Sequence, residues 1–302
     1  MRVRVPPRAP AQQVKPPHPI PPPGGRTRLA PTPSGFLHAG NAVNLIIAHT
    51  LARAACAHLR LRIDDLDAER VRPVYVADVF RSLRWLGITW DDGPTTPEEH
   101  TANFSQHLRL SRYHGLIARL RACLSGRQAG GHLYACTCSR SRLARAACTC
   151  RTAGHPFDAP DTAWRLHVPP GTIIHVPVLA GAPVTVDLAE AMGDPVLRQR
   201  NGRPAYQIAS LADDLDHGTT FIVRGADLLA STACQLHLAQ LLGEEAFLHV
   251  AFLHHPLERA ADGTKLAKSA GSTSLHAMRA AGHGPEALWA RAEAVLQDLL
   301  AG

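Results

Sequence analysis

The chain is 302 residues long, 45% hydrophobic by residue type, with a formal net charge of +7 and seven cysteines. That length can bury a substantial core in one large domain or two small ones, and no apolar run is long enough to form a bilayer-crossing helix. Four of the positive charges come from Arg2, Arg4, Arg8 and Lys15, so the remainder is only mildly basic. Net charge alone therefore argues weakly for a nucleic-acid partner, which needs a local patch.

Residues 1–25 hold nine prolines and those four cations, with no acid and no apolar signal-peptide core, and read as a disordered extension. From Arg28 a short apolar stretch enters Ala30-Pro31-Thr32-Pro33-Ser34-Gly35-Phe36-Leu37-His38-Ala39-Gly40-Asn41, followed by a helix-like run over 42–57. That order is strand, loop, helix. In an open parallel sheet such a junction faces the crevice at the strand ends, where free N–H groups of the helix start favour phosphate. Gly40 permits close backbone approach and the His38 imidazole can donate to phosphate oxygens. The competing reading is a proline-stiffened turn with Asn41 as a helix cap.

Residues 59–63 read as a second strand, and 74–86 and 104–124 carry helical apolar spacing. Next come two C-x-C pairs, Cys136-Thr137-Cys138 and Cys148-Thr149-Cys150. Four thiolates on two tight turns suit tetrahedral zinc, and disulfide pairing is the alternative, although C-x-C is an awkward spacing for a local bridge. The single cysteines Cys56, Cys123 and Cys234 are expected to be small core residues. Residues 164–168, 172–176 and 184–186 suit a small antiparallel section. Helices are expected over 205–215 and 231–242, flanking a strand at 221–223, with a further strand over 247–254. The turn Asp262-Gly263 then leads to Lys265-Leu266-Ala267-Lys268-Ser269. Lysines on such a loop are commonly just solvated, but two ammonium groups three residues apart can close on a triphosphate.

Five segments, in this order, resemble the motifs of class I aminoacyl-tRNA synthetases of the glutamyl branch. His38 to Asn41 resembles the HIGH element and Lys265 to Ser269 the KMSKS loop. Between them stand Arg62-Ile63-Asp64-Asp65-Leu66-Asp67, Trp90-Asp91-Asp92-Gly93-Pro94 and Ile222-Val223-Arg224-Gly225-Ala226-Asp227. The resemblance implies an α/β fold: a Rossmann-type class I catalytic domain carrying an inserted zinc-binding, acceptor-arm-like subdomain. Its halves are expected at 26–130 and 191–275, the insertion at 131–190, and a helical tail at 276–302. Since little chain follows the KMSKS-like loop, no anticodon-binding domain is expected. That pattern resembles the truncated members of the branch, the glutamyl-queuosine tRNA(Asp) synthetases.

The resemblance further implies ATP with Mg²⁺, structural Zn²⁺, glutamate and a tRNA as cofactors and partners, the tRNA being tRNA(Asp) read at a queuosine-bearing anticodon loop. It implies a cytoplasmic, monomeric enzyme with no membrane partner. His38, Asn41, Lys265 and Lys268 take the catalytic positions, with His38, Gly40 and Lys268 on ATP. Arg28 and Arg224 take the glutamate carboxylates, Asp64 the α-amino group, Tyr206 donates a hydroxyl, and Ala30 and Thr32 complete the substrate set. Glutamate demands such a pocket, with two cationic positions and one acidic. Structural pairing of the arginines with Asp65, Asp67 or Asp227 is the alternative.

The chain departs from the pattern at three places. Asp64 stands where the family commonly has Glu, and Ala267 replaces the first KMSKS serine. The zinc set of the family includes a tyrosine four residues before its last cysteine. Here that position is Ala146, so Cys148 would join Cys136, Cys138 and Cys150 as the fourth ligand. Two other readings share these residues: an enzyme acylating a different acceptor, and a catalytically silent RNA-binding paralogue, against which the intact His38, Lys265 and Lys268 argue.

Overall fold

In the computed structural model, which describes residues 21, 23–124, 132–143, 145–256 and 274–301, the chain enters the fold through Arg26–Leu29 (β1). Pro31 and Pro33 keep the following loop extended, and Ala39–Ala54 (α1) begins at His38, whose backbone N–H donates to Asn41 Oδ1 at 3.1 Å. A broad apolar stripe with Val43, Ile46, Ile47 and Leu51 at its centre buries one face of α1. His58–Leu61 (β2) returns parallel to β1, pairing Arg28 with Arg60. Pro73–Trp85 (α2) starts with proline in its first turn, where no N–H is needed, and buries Val76, Val79, Phe80 and Leu83. The chain then runs along β2, with Asp91 N donating to Leu59 O and Leu61 N to Asp92 O, both at 2.8 Å. Gly93 sits here at φ +106°, where a Cβ would run into the Leu61 carbonyl oxygen.

The expected helix over 104–124 is shorter than its apolar spacing suggests. Regular helix occupies only Leu110–Leu124 (α3), and the approach is a π turn at His100–Phe104 and a 3₁₀ turn at Gln106–Arg109. The break falls at Ser105. Its hydroxyl donates to Asp65 at 2.6 Å and accepts from His107 N, while Gln106 N donates to Asp65, so side chains take over backbone bonds that a helix would use.

Leu133–Cys136 (β3), Ala163–Leu166 (β4) and Val196–Arg198 (β7) form an antiparallel sheet in the order β3-β4-β7. Between β4 and β7 lies the antiparallel hairpin of Ile173–Val176 (β5) and Val184–Asp187 (β6). Tyr206–Asp216 (α4), Phe221–Gly225 (β8), Leu229–Leu242 (α5) and Ala251–His255 (β9) follow, with β8 and β9 parallel. Thr220 N donates to Arg26 O at 2.8 Å and the Thr27 hydroxyl to Phe221 O at 2.8 Å, bringing β8 alongside β1. The parallel strands therefore lie in the order β2-β1-β8-β9.

Both faces of this sheet are covered, as a parallel sheet requires. Alternation along β8 shows it: Phe221 and Val223 enter a core shared with α1 and α2, and Ile222 enters a second core built on α3, α4 and α5. Leu275–Ala280 (α6) and Glu286–Ala301 (α7) follow. From α7, Leu288, Ala292 and Leu296 close the first core against α1, and Trp289 Nε1 donates to Leu86 O at 3.0 Å.

Two expectations need correction. The strand expected at 247–254 begins only at Ala251; Glu245–Leu248 is a helical turn that buries Phe247 in the second core, a short apolar run in which strand and helix cannot be told apart by pattern. Of the single cysteines only Cys234 is buried. Cys56 and Cys123 are exposed, Cys56 lying in the turn after α1 at φ +50° and Cys123 on the outer face of α3.

Candidate active site and cysteine centre

The C-terminal ends of β1 and β8 and the start of α1 enclose a cavity of about 470 Å³. This is the crevice that an open α/β sheet offers at its strand ends. Arg28, Ala30, Thr32, His38, Gly40, Asn41, Asp64, Tyr206 and Arg224 all line it. The sequence separates these residues by as much as 196 positions, and the topology brings them together by setting β1 beside β8. Asn41 is not the N-cap, which is His38; it stands three residues further on, where its side chain accepts from His38 N, and it also lines the cavity. Tyr206, the first residue of α4, is 37% exposed at the rim.

Beneath the cavity floor lies a buried charge network. Asp214 from α4 accepts from Arg28 Nε at 3.0 Å and from Arg62 Nη1 at 2.9 Å. Arg62 also grips Asp64 through Nε at 2.6 Å and Nη2 at 3.1 Å. Burial works against the Asp214 charge, but Arg28 and Arg62 outweigh it and hold the carboxyl below its usual range. Burial prevails at Asp64, whose carboxyl is raised in spite of Arg62, with Asp213 adding repulsion. The alternative pairing with Asp65, Asp67 or Asp227 does not occur for Arg28, whose carboxylate partner is Asp214. Asp213 is engaged by Arg109 at 2.7 Å and by the Tyr113 hydroxyl at 2.9 Å.

Arg224 is set differently. It is 3% exposed, donates from Nη1 to Gln235 Oε1 at 2.9 Å and to the Thr232 hydroxyl at 3.2 Å, and has no carboxylate in ion-pair contact among the described residues. Its Nε and Nη2 are buried without hydrogen-bond partners. Phe252 packs against the guanidinium, 5.5 Å from its ring centroid.

Lys265 and Lys268 lie outside the described residues. The chain leaves for that segment from β9, where His255 lines the cavity, and returns at Ser274, which bridges His38 while Leu275 N donates to Leu37 O at 2.7 Å. Sequence reasoning missed Arg62, Asp214, Asn44 and His255. Arg62 stood inside a motif already singled out. Asn44 lies one turn beyond Asn41 on the same face and meets His255 Nε2 at 3.2 Å. Asp213-Asp214, two acids on the buried side of an amphipathic helix, was a signal that could have been read.

The four cysteines of the two C-x-C pairs converge, their sulfur atoms all within 4.8 Å of one another. Cys136 Sγ is 3.6 Å from Cys148, and Cys138 is 3.8 Å from Cys148 and 3.6 Å from Cys150. A disulfide would need about 2.05 Å. Four sulfurs around a tetrahedral zinc, each about 2.3 Å from it, would stand about 3.8 Å apart, so the donor set fits zinc. Burial and the neighbouring sulfurs push Cys138 up to about 12. Burial also opposes ionisation at Cys150, but hydrogen bonds from the Thr137 backbone and hydroxyl outweigh it and bring that thiol down to about 6. Ala146 is exposed and offers no ligand.

The chain matches the family described as tRNA synthetases class I (E and Q), catalytic domain, over residues 25–156 and 181–293. It is 37% identical over 279 residues to the glutamyl-Q tRNA(Asp) synthetase of Symbiobacterium thermophilum, covering 86% of this chain and 82% of that one. The protein of the same name from Ectopseudomonas mendocina is 38% identical over 274 residues, covering 85% of each. Among solved structures, a glutamate tRNA ligase from Elizabethkingia meningosepticum, in complex with its amino acid, superposes with a TM-score of 0.65 at 22% identity. That likeness concerns the fold: it covers 82% of this chain, and the chain spans about half (52%) of that longer protein. On the family match and the identity to these relatives, the chain belongs to the class I tRNA synthetases of the E and Q branch and carries their catalytic domain.

Proposed function

We propose that the protein activates glutamate with ATP, without tRNA, and transfers it to the queuosine base of tRNA(Asp). The observation that carries this reading is the single cavity that joins two arginines and an aspartate to a helix N-terminus. Glutamate needs two cations and one anion in fixed positions, and a nucleotide phosphate needs the N–H groups and positive end of a helix. The relatives that carry the glutamyl-Q tRNA(Asp) synthetase name, aligned over most of both chains, support the choice of acceptor.

In this reading Arg28 and Arg224 bind the substrate carboxylates and Asp64 the α-amino group, with Tyr206 donating its hydroxyl and Ala30 and Thr32 shaping the pocket. An oxygen of the glutamate α-carboxylate attacks the α-phosphorus of ATP in line, the bond from that phosphorus to the bridging oxygen breaks, and pyrophosphate leaves. His38, Gly40, Asn41, Lys265 and Lys268 orient the triphosphate and balance its charge, and most of the rate comes from that positioning. Mg²⁺ accompanies ATP. A hydroxyl of the queuosine ring then attacks the adenylate carbonyl and AMP leaves. Cys136, Cys138, Cys148 and Cys150 would hold zinc in a structural role, fixing the β3 turn within the RNA-facing insertion. In the same reading the reaction is cytoplasmic and one chain is the working unit.

Amino-acid-dependent ATP–pyrophosphate exchange without tRNA, across the standard amino acids and with Lys268→Ala as control, tests the proposal. Exchange with glutamate alone, lost in the control, is the expected result. Exchange with no amino acid would sink it and leave a silent RNA-binding paralogue.

A further inference from the structure

The two arginines in the cavity are held in opposite electrostatic states. Arg28 is already neutralised by Asp214. Arg224 is buried just as deeply, yet every side chain that hydrogen-bonds it is uncharged. The hydrogen-bond geometry explains how. The Thr232 hydroxyl has one proton and gives it to Leu228 O at 3.1 Å, so towards Arg224 and His254 it can only accept. With the hydroxyl proton assigned to Leu228 O, His254 Nε2, 2.8 Å away, is the donor to Thr232. Burial, Arg224 and His255 together bring His254 down to about 4, and the ring stays neutral. Gln235, fully buried on α5, turns its amide oxygen to Arg224 Nη1. The reverse orientation would set an NH₂ against a guanidinium donor, so the amide has one sense only.

We propose that Gln235 is a positioning residue for substrate binding: its neutral amide fixes the Arg224 guanidinium while leaving the charge, and the Nε and Nη2 protons, for a carboxylate entering the cavity. A glutamate at position 235 would occupy nearly the same volume and hold Arg224 at least as firmly, but would supply internally the counter-charge that the substrate brings. The inference rests on the glutamate-activating function proposed above, and concerns how the pocket keeps one cation in reserve.

The test compares wild type, Gln235→Glu and Gln235→Met in glutamate-dependent ATP–pyrophosphate exchange, with thermal melting of each. Charge-assisted hydrogen bonds are the strong ones, and losing one to an internal competitor is expected to raise KM for glutamate roughly 10- to 100-fold in Gln235→Glu. KM for ATP should stay within about twofold, and the melting temperature at or above that of wild type. Gln235→Met removes the acceptor without adding charge, and its glutamate KM should rise less. A glutamate KM in Gln235→Glu within about threefold of wild type, an equal rise in the ATP KM, or an effect of Gln235→Met as large as that of Gln235→Glu would each overturn the inference while leaving the function intact. Wild type without glutamate-dependent exchange would instead overturn the function, and the inference with it.

Discussion

Asp214→Asn tests the buried charge network most directly, since it removes one charge and almost no volume. In the folded protein Asp214 is 1% exposed and accepts from two guanidinium groups at 3.0 and 2.9 Å, with Ser210 and Thr219 hydroxyls at 3.4 and 3.5 Å. Arg62 would keep Asp64, but Arg28 would lose its carboxylate partner while remaining 5% exposed. Leaving one charge of a buried pair uncompensated costs about 3–5 kcal/mol, a large share of the roughly 5–15 kcal/mol that holds a typical domain together. Because the Asp214 pKa is depressed by folding, its contribution is present above the ordinary carboxylate pKa near 3.9 and is lost as pH falls through the lower native value. The deficit of the variant should therefore be constant from pH 8 to about pH 5. Urea unfolding at pH 7 should show a lower midpoint at an unchanged m-value. Pairing the change with Arg28→Met should lose less than the two single losses summed, because the stranded cation is removed as well. A loss below about 1 kcal/mol, or strict additivity in the double variant, would refute the account of Asp214 as the counter-ion of Arg28.

Two further outcomes are expected. Metal analysis of protein prepared under reducing conditions should find about one zinc per chain, and Cys148→Ser should lower the affinity. Since structural zinc contributes on the order of 10 kcal/mol to its fold, chelation should speed amide exchange in β3 while leaving β1, β2, β8 and β9 protected; zinc-free protein with an unchanged exchange pattern would contradict this. His49 on α1, edge-on to Trp289 of α7, is brought to about 4 by burial. Its native pKa lies below the unfolded one near 6.5, so stability should fall as pH drops from about 6.5 to 4, by at most about 3 kcal/mol and less for a ring in partial contact with water. His49→Leu should flatten that part of the stability–pH curve in urea titrations, and an unchanged acid limb would speak against it.

The membership of the cavity wall was legible because motif residues sit where strands end, and strand ends are fixed by local sequence. Arg28, Asp64 and Arg224 were assigned to the site by their match to the family's motifs, and the structure sets all three on the wall. What lies behind the wall was not legible. The bond between Arg28 and Asp214 spans 186 positions, and nothing near Arg28 reveals that its charge is already matched while that of Arg224 is not. Local pattern also failed where tertiary demands overrode it: Phe247 reaches the core from a helical turn, and Ser105 breaks a helix whose apolar spacing runs straight through it. Cys56 and Cys123 were misplaced because a small apolar residue carries no signal of which side of a helix end it faces. For the four clustered cysteines, spacing alone sufficed, since two tight turns leave few places for the sulfurs to go.

The pairing of β1 with residues some 190 positions later, and of α1 with α7, also bears on how the chain is made. The first core is not a property of the first half of the chain. Its sheet gains Phe221 and Val223, and its lid gains Leu288, Ala292 and Leu296, only from distant segments. During synthesis the apolar stripe of α1, with Val43, Ile46, Ile47 and Leu51, must therefore wait for most of the chain before it can be fully covered. Contacts of such long sequence separation form slowly, and an uncovered stripe of that kind invites aggregation. The nascent chain is thus most vulnerable at α1, and protection from a chaperone would matter most between the emergence of α1 and that of α7.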